Sequence, residues 1–156
     1  MKKTNKFLIY FLITFVINIS SNQTNHIQTI YLGSGCFWGA EKGYEALDGV
    51  VDAESGYANG YGIKPNYRSI IQFKNKYKEN NFAEVVKVTF NSNAITLHEI
   101  LKHFFETHDP TQLNRQGNDI GTQYRSTILF SDENQKKVAL EICLLYTSPS
   151  PRDRNV

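Results

Sequence analysis

The stretch YLGSGCFWGAE, residues 31–41, constrains the fold more than any other. Upstream, QTIYLGSG reads as a short strand closing on two glycines. Downstream, CFWGAEKGYEALDG reads as a helix that begins at or just after Cys36. Phe37, Tyr44 and Leu47 fall near helical spacing, and Gly49 suits a C-terminal stop. A strand that passes this quickly into a helix calls for helices layered on a sheet.

The remaining elements fit that frame. VVDAESGYANG reads as a second strand running into a turn, and YGIKPNYRSIIQF as a loop and a short strand. AEVVKVTFN alternates, with Val85, Lys87 and Thr89 on one face and Val86, Val88 and Phe90 on the other. TLHEILKHFFETH is an amphipathic helix in which Thr96 caps the N-terminus and Glu99 completes a capping box. Leu97, Ile100, Leu101 and Phe104 form its apolar stripe. DPTQLNRQGNDIGTQ reads as a long polar loop, YRSTILFS as a further strand and DENQKKVALEIC as the start of a last helix. The expected class is α+β: a two-layer sandwich with helices packed on a mixed sheet around a ferredoxin-like core.

At 156 residues the chain suits one domain, and 13% aromatic residues exclude a disordered, highly charged segment. The net charge of +2 is carried by the ends. Lys2, Lys3 and Lys6 supply three positive charges and residues 152–154 a net one, which leaves the body at about −2. No clustered basic face is expected, so a nucleic-acid partner is not; KNKYK at residues 74–78 reads as a solvated loop.

MKKTNK followed by FLIYFLITFVINI has the form of a basic region and an apolar run, with the polar SSNQTN after it. Residues 1–20 are therefore expected to be a signal peptide, or an uncleaved anchor, of an exported protein, periplasmic or secreted. The apolar run is shorter than the roughly 20 residues of a spanning helix. Residues 21–143 form the expected domain. After residue 143, LLYTSPSPRDRNV abandons helical periodicity, and residues 144–156 read as a disordered tail or as translated adapter sequence.

Two cysteines, Cys36 and Cys143, are too few and too far apart for the disulfide framework of a small exported domain. Chemistry explains Cys36 better. A helix N-terminus presents unpaired N–H groups and partial positive charge, which favour a thiolate, and Gly33 and Gly35 keep the backbone tight and the sulfur uncrowded. Phe37 and Trp38 then form an apolar wall suited to a methyl group, unless both are core residues. His103 and His108 offer an alternative, a Cys–His hydrolase dyad, although helix-face or capping roles suit both. No paired Cys/His spacing suggests a metal site.

GCFWGAE resembles the signature of the peptide methionine sulfoxide reductase A family. GYANGYGIKPNYR, AEVVKVTFN and FFETHDPTQLNRQGNDIGTQYRS follow in that family's order, over roughly residues 29–141. The resemblance implies reduction of methionine S-sulfoxide, free or in oxidised proteins, to methionine, repairing oxidative damage. It implies Cys36 as the nucleophile that attacks sulfur, and Phe37 and Trp38 as the binding site for the substrate methyl. It places the proton donors on Glu84, Tyr67 and Tyr124, with Asp119 in support. Cys36 would be left as a sulfenic acid, to be reduced by an external, thioredoxin-like thiol or dithiol; no bound cofactor and a monomer are implied. Cys143, the one other thiol, aligns with no resolving cysteine of the family, and a resolving role stands there beside that of an inert thiol.

Three departures from the family pattern stand out. Asn81-Phe82 replaces the common Gly-His before Ala83-Glu84, the interval from Tyr67 to Glu84 is long, and the family's closing segment rich in Tyr, His and Gln has no match. The domain is thus expected to be C-terminally incomplete. A non-catalytic, methionine-sulfoxide-binding fragment is the remaining alternative.

Overall fold

The structure is a computed structural model that describes residues 26–62 and 64–147. The leader expected over residues 1–20 and the tail beyond residue 147 lie outside the described residues. No helix among the described residues is long and apolar enough to cross a membrane.

Four strands form the main sheet: β1 (Ile27–Gly33), β2 (Val50–Ala58), β3 (Ala83–Asn91) and β6 (Thr127–Leu129), in the order β2-β3-β1-β6. Between the last two, β4 (Arg115–Gln116) and β5 (Asp119–Ile120) make a separate small hairpin. The main helices are α1 (Phe37–Glu45), α4 (Leu97–Thr107) and α5 (Glu133–Thr147), with short α2 (Tyr67–Ile71) and α3 (Phe73–Lys76) in the β2–β3 connection.

Alternation decides the core face. Ile30 and Leu32 of β1 lie opposite Val88 and Val86 of β3, and Ala53 of β2 lies on the other side of Val88. These side chains share one buried cluster with Tyr44 of α1, Ile100, Leu101 and Phe104 of α4, and Ala139 and Ile142 of α5. The three long helices therefore cover one face. Each fully buried aliphatic or aromatic side chain contributes about 1.5–3 kcal/mol of transfer free energy. Gln135 of α5 donates from Nε2 to the carbonyl of Thr29 at 2.9 Å, which joins the last helix to the sheet.

The α+β, two-layer, ferredoxin-like expectation holds in element order and sheet order. The sheet is mixed only in a restricted sense. Every neighbouring pair is antiparallel; β1 and β2 run parallel, but β3 lies between them. The crossover through α1 has to span a gap one strand wide, and β3 returns to fill it.

Four local expectations need correction: residues 74–76 of the stretch read as a solvated loop belong to α3, and the long polar loop over residues 109–123 holds the β4–β5 hairpin and the start of a 3₁₀ turn. The segment read as a loop and short strand before residue 73 holds α2. Asn66 accepts from Ser69 N at 3.0 Å while Ser69 Oγ accepts from Asn66 N at 3.2 Å, a reciprocal cap that starts a helix. The last helix also continues through Leu144, Leu145 and Tyr146 to Thr147. Tyr146 stacks on Phe105, with ring centroids 5.3 Å apart, and donates to Glu106 Oε1 at 3.1 Å. Packing on α4 replaces the periodicity that the sequence lacks there. The capping box of α4 forms as expected, with Glu99 N donating to Thr96 Oγ1 at 3.2 Å and Thr96 N to Glu99 Oε2 at 2.8 Å.

Candidate active site

Strand order places the site. The C-terminal ends of β1 and β2 and the N-terminal ends of β3 and β6 meet at one end of the sheet, where Tyr57 lies opposite Glu84 and Gly33 opposite Thr127. There β1 passes into α1 through Gly35 and Cys36. Gly35 has φ +95°, and a Cβ on it would stand 2.6 Å from the Cβ of Gln116 in the β4–β5 hairpin. Only glycine allows both the turn and the close approach. Cys36 is the exposed N-cap residue of α1, and its side chain makes no capping hydrogen bond.

A cavity of about 600 Å³ opens at this corner, lined by Cys36, Phe37, Trp38, Tyr57, Tyr67, Glu84, Asp119 and Tyr124. All seven residues singled out in the sequence for catalysis or substrate binding are brought together in it. They come from α1, α2, β3, β5 and the 3₁₀ turn Thr122–Tyr124. Tyr57 is the eighth, missed in the sequence. The signal was its place on the core-facing side of β2, two residues on from Ser55 and four from Ala53.

Glu84 is the buried acid of the site, with 2% of its surface exposed. It continues the core-facing row of Val86, Val88 and Phe90 to the end of β3, where the apolar cluster gives way to the cavity. Its Oε2 accepts a long hydrogen bond of 3.3 Å from the backbone N–H of Phe37, the first residue of α1. Burial pushes its pKa up from 4.5 to about 7; the Phe37 N–H opposes that rise and the charge of Asp119 adds to it. A carboxyl in this state carries a proton near neutral pH and can give it away. The phenols of Tyr57 and Tyr124 are also held up, first by burial and then by the Glu84 charge, so both remain O–H donors.

The aromatics divide the work of shaping the cavity. Phe37 is half-buried against the core and meets the ring of Tyr57 at 5.4 Å. Trp38 is 76% exposed, so it is no core residue; it stands at the rim of the cavity. Glu41 accepts from Ser55 N at 2.7 Å, and Ser55 Oγ donates to the Phe37 carbonyl at 3.5 Å, which pins the first turns of α1 to β2. Tyr67, at the first position of α2, and Asp119, in the hairpin, are exposed on the open side.

Residues 28–149 match the family model described as peptide methionine sulfoxide reductase. The chain belongs to that family. It is 49% identical over 116 residues to the peptide methionine sulfoxide reductase MsrA of Trichodesmium erythraeum, an alignment that takes in 74% of this chain and 63% of that protein. The structure of methionine sulfoxide reductase A of Corynebacterium diphtheriae superposes with a TM-score of 0.65 at 33% identity, over 78% of this chain and 58% of that one. Mxr1 from Saccharomyces cerevisiae, in a complex with Trx2, aligns at 31% identity and a TM-score of 0.50, over 78% of this chain and 69% of Mxr1. The chain spans about three fifths of the length of the curated reductases it matches.

Neither histidine belongs to this reductase-family cavity. His103 packs edge-on against Tyr44, with centroids 5.2 Å apart, in the interface of α4 with α1. His108 lies between the Phe104 carbonyl at 2.5 Å and Ser126 Oγ at 2.8 Å, and burial holds its pKa down. The Cys–His dyad is therefore not assembled. Cys143 is not brought to Cys36 either. It is half-buried on α5 and lines a second, apolar cavity of about 340 Å³ with Phe104, Phe105, Ile128, Phe130 and Leu140. Its position follows from α5 packing on α4 and β1, whereas Cys36 stands at the start of α1.

Proposed function

We propose that the chain reduces methionine S-sulfoxide to methionine, with Cys36 as the nucleophile and Glu84 as the main proton donor. The observation that carries this reading is one cavity holding an exposed helix-N-terminal thiol, a buried carboxyl with its pKa raised to about 7, and an aromatic wall.

The substrate methyl packs between Phe37 and Trp38, which presents the sulfur to Cys36 and the oxygen to Glu84, Tyr67 and Tyr124. The Cys36 thiolate attacks sulfur while Glu84 protonates the oxygen. The S–O bond of the substrate breaks, the oxygen passes to the Cys36 sulfur, and methionine leaves. Sulfur in the substrate is reduced by two electrons, and Cys36 is oxidised by two to the sulfenic acid. One external thiol then displaces water to form a mixed disulfide, and a second thiol releases Cys36 and a disulfide. Family membership and the Mxr1 complex with Trx2 support a thioredoxin-like donor for this step. Tyr57 supplies a further phenol at the same wall, and Asp119 adds a smaller share to the rise in the Glu84 pKa that burial produces.

The substrates are methionine S-sulfoxide free or in oxidised proteins, and the chain acts as a monomer with no bound cofactor. We also place it outside the cytoplasm, on the strength of the leader-like residues 1–20 alone.

Glu84→Gln should lower the single-turnover rate of methionine formation by about 10²–10⁴-fold, the usual range for loss of a positioned acid. His103→Ala and His108→Ala should leave that rate near the parent's. Activity lost only with a histidine substitution would replace the reductase reading with the hydrolase one.

A further inference from the structure

Arg125 directly follows Tyr124 and is half-buried without a carboxylate partner; none of the ion pairs among the described residues includes it. Its guanidinium is instead spent on three carbonyls. Nη1 donates to Asn81 O at 3.0 Å and to Thr122 O at 2.8 Å, and Nη2 donates to Asn59 O at 2.9 Å. Each carbonyl belongs to a different segment, and each segment carries a wall of the Cys36 cavity. Asn59 comes two residues after Tyr57, Asn81 three before Glu84, and Thr122 two before Tyr124.

The connections run one step further. Asn81, 2% exposed, donates from Nδ2 to the carbonyl of Ile70 at 3.3 Å, which ties α2 and its first residue Tyr67 to the same point. Thr122, also 2% exposed, donates from Oγ1 to Lys76 O at 3.0 Å. Asn59 is held at φ +53°, a left-handed turn, where its carbonyl meets the guanidinium. Asn81 is one of the two positions at which this chain leaves the reductase pattern just before the acid.

We propose that Arg125 is a positioning residue: by binding three carbonyls at once, it sets the distances among Tyr57, Glu84 and Tyr124 and so the approach of the proton donors to the sulfoxide oxygen. The catalytic consequence rests on the function proposed above; the geometric one does not. A forked, planar cation is needed, since it alone reaches three acceptors in fixed directions, whereas a lysine ammonium is a single point on a flexible stem. A half-buried cation with only neutral acceptors gives little net stability, so its effect should show in geometry more than in melting temperature.

The test is Arg125→Lys in the full 156-residue chain, which keeps the charge and removes the fork. Two quantities are read: the titration of Glu84 by carbon NMR, and kcat and KM for methionine S-sulfoxide with a dithiol. The groups that share the cavity with Glu84 are unchanged: Cys36 and the Phe37 N–H on α1, Tyr57 on β2, Tyr67 on α2, Asp119 on β5, and Tyr124. The expected result is a Glu84 midpoint about one unit or more lower, because water reaches a loosened wall. kcat should fall on the order of 10²-fold, as for a misplacement near 1 Å, while KM stays nearly constant.

An unchanged Glu84 midpoint and an unchanged kcat in a folded variant would overturn the proposal, whatever happens to the melting temperature. If Arg125→Lys does not fold, Arg125→Gln is read in the same way. Failure of both to fold would assign Arg125 to the stability of the whole domain and also overturn it. The Glu84 titration needs no turnover, so a parent chain that reduces nothing would count against the proposed function and leave the positioning role to be decided by NMR.

Discussion

At Glu84 two requirements pull against each other. In the proposed mechanism the donor has to keep its proton near neutral pH, which burial at the end of β3 favours, and also lie close to the N-terminus of α1, where Cys36 stands. The Phe37 N–H, 3.3 Å away, favours the ionised form, and burial together with Asp119 outweighs it. With Glu84 as the proposed donor, the single-turnover rate should fall as pH rises through about 7, and Glu84→Gln should flatten that limb. The linkage has a definite sign. The folded value, about 7, lies above the ordinary 4.5, so the native state binds the extra proton between them. The stabilisation is fully present below about 4.5 and is lost as pH rises through about 7. Urea unfolding across that range should show the parent losing more stability than Glu84→Gln; an equal loss in both would remove Glu84 as the cause.

At the scale of elements, the decisive piece is the turn from β1 into α1. Gly35 holds φ +95° with Gln116 packed over it, so the turn also seats the hairpin that carries Asp119. Gly35→Ala should destabilise the fold by about 1–3 kcal/mol and slow turnover, because a left-handed backbone and a 2.6 Å approach both exclude a methyl. Urea unfolding checks the first effect and the single-turnover rate the second; a variant as stable and as fast as the parent would show that the turn tolerates a side chain.

This turn was legible in the sequence, as were β3 and α4, because glycines, strict alternation and a capping box act within a few residues. Cys36, Phe37 and Trp38 could be read for the same reason. What escaped was set from a distance. The helix at Tyr67 depends on a reciprocal Asn66–Ser69 cap in a stretch that also has β-branched residues. Tyr57 enters the site only through its register with Glu84 on a neighbouring strand. The roles proposed for Glu84, Tyr67, Tyr124 and Asp119 came from resemblance to the reductase family; spacing alone would have left each of them a surface or packing residue.

For the molecule as a whole, the two cysteines lie in different places. Cys36 opens to the cavity at the end of the sheet, and Cys143 faces the apolar cavity between α4, β6 and α5. Cys143→Ser should therefore leave turnover with an external dithiol close to the parent rate. A sharp loss, or a Cys36–Cys143 disulfide in the mass of the oxidised chain, would require the two regions to approach one another. Among the described residues, those lining the Cys36 cavity lie between residues 36 and 124.

The most direct test is a single turnover of the pre-reduced chain, with S- and R-methionine sulfoxide supplied separately and no added thiol. Methionine and the mass of the Cys36 peptide are read from the same sample. Up to one equivalent of methionine is expected from the S epimer, none from the R epimer, and one oxygen atom gained at Cys36. A folded chain that forms no methionine, or that forms it equally after Cys36→Ser, would contradict it.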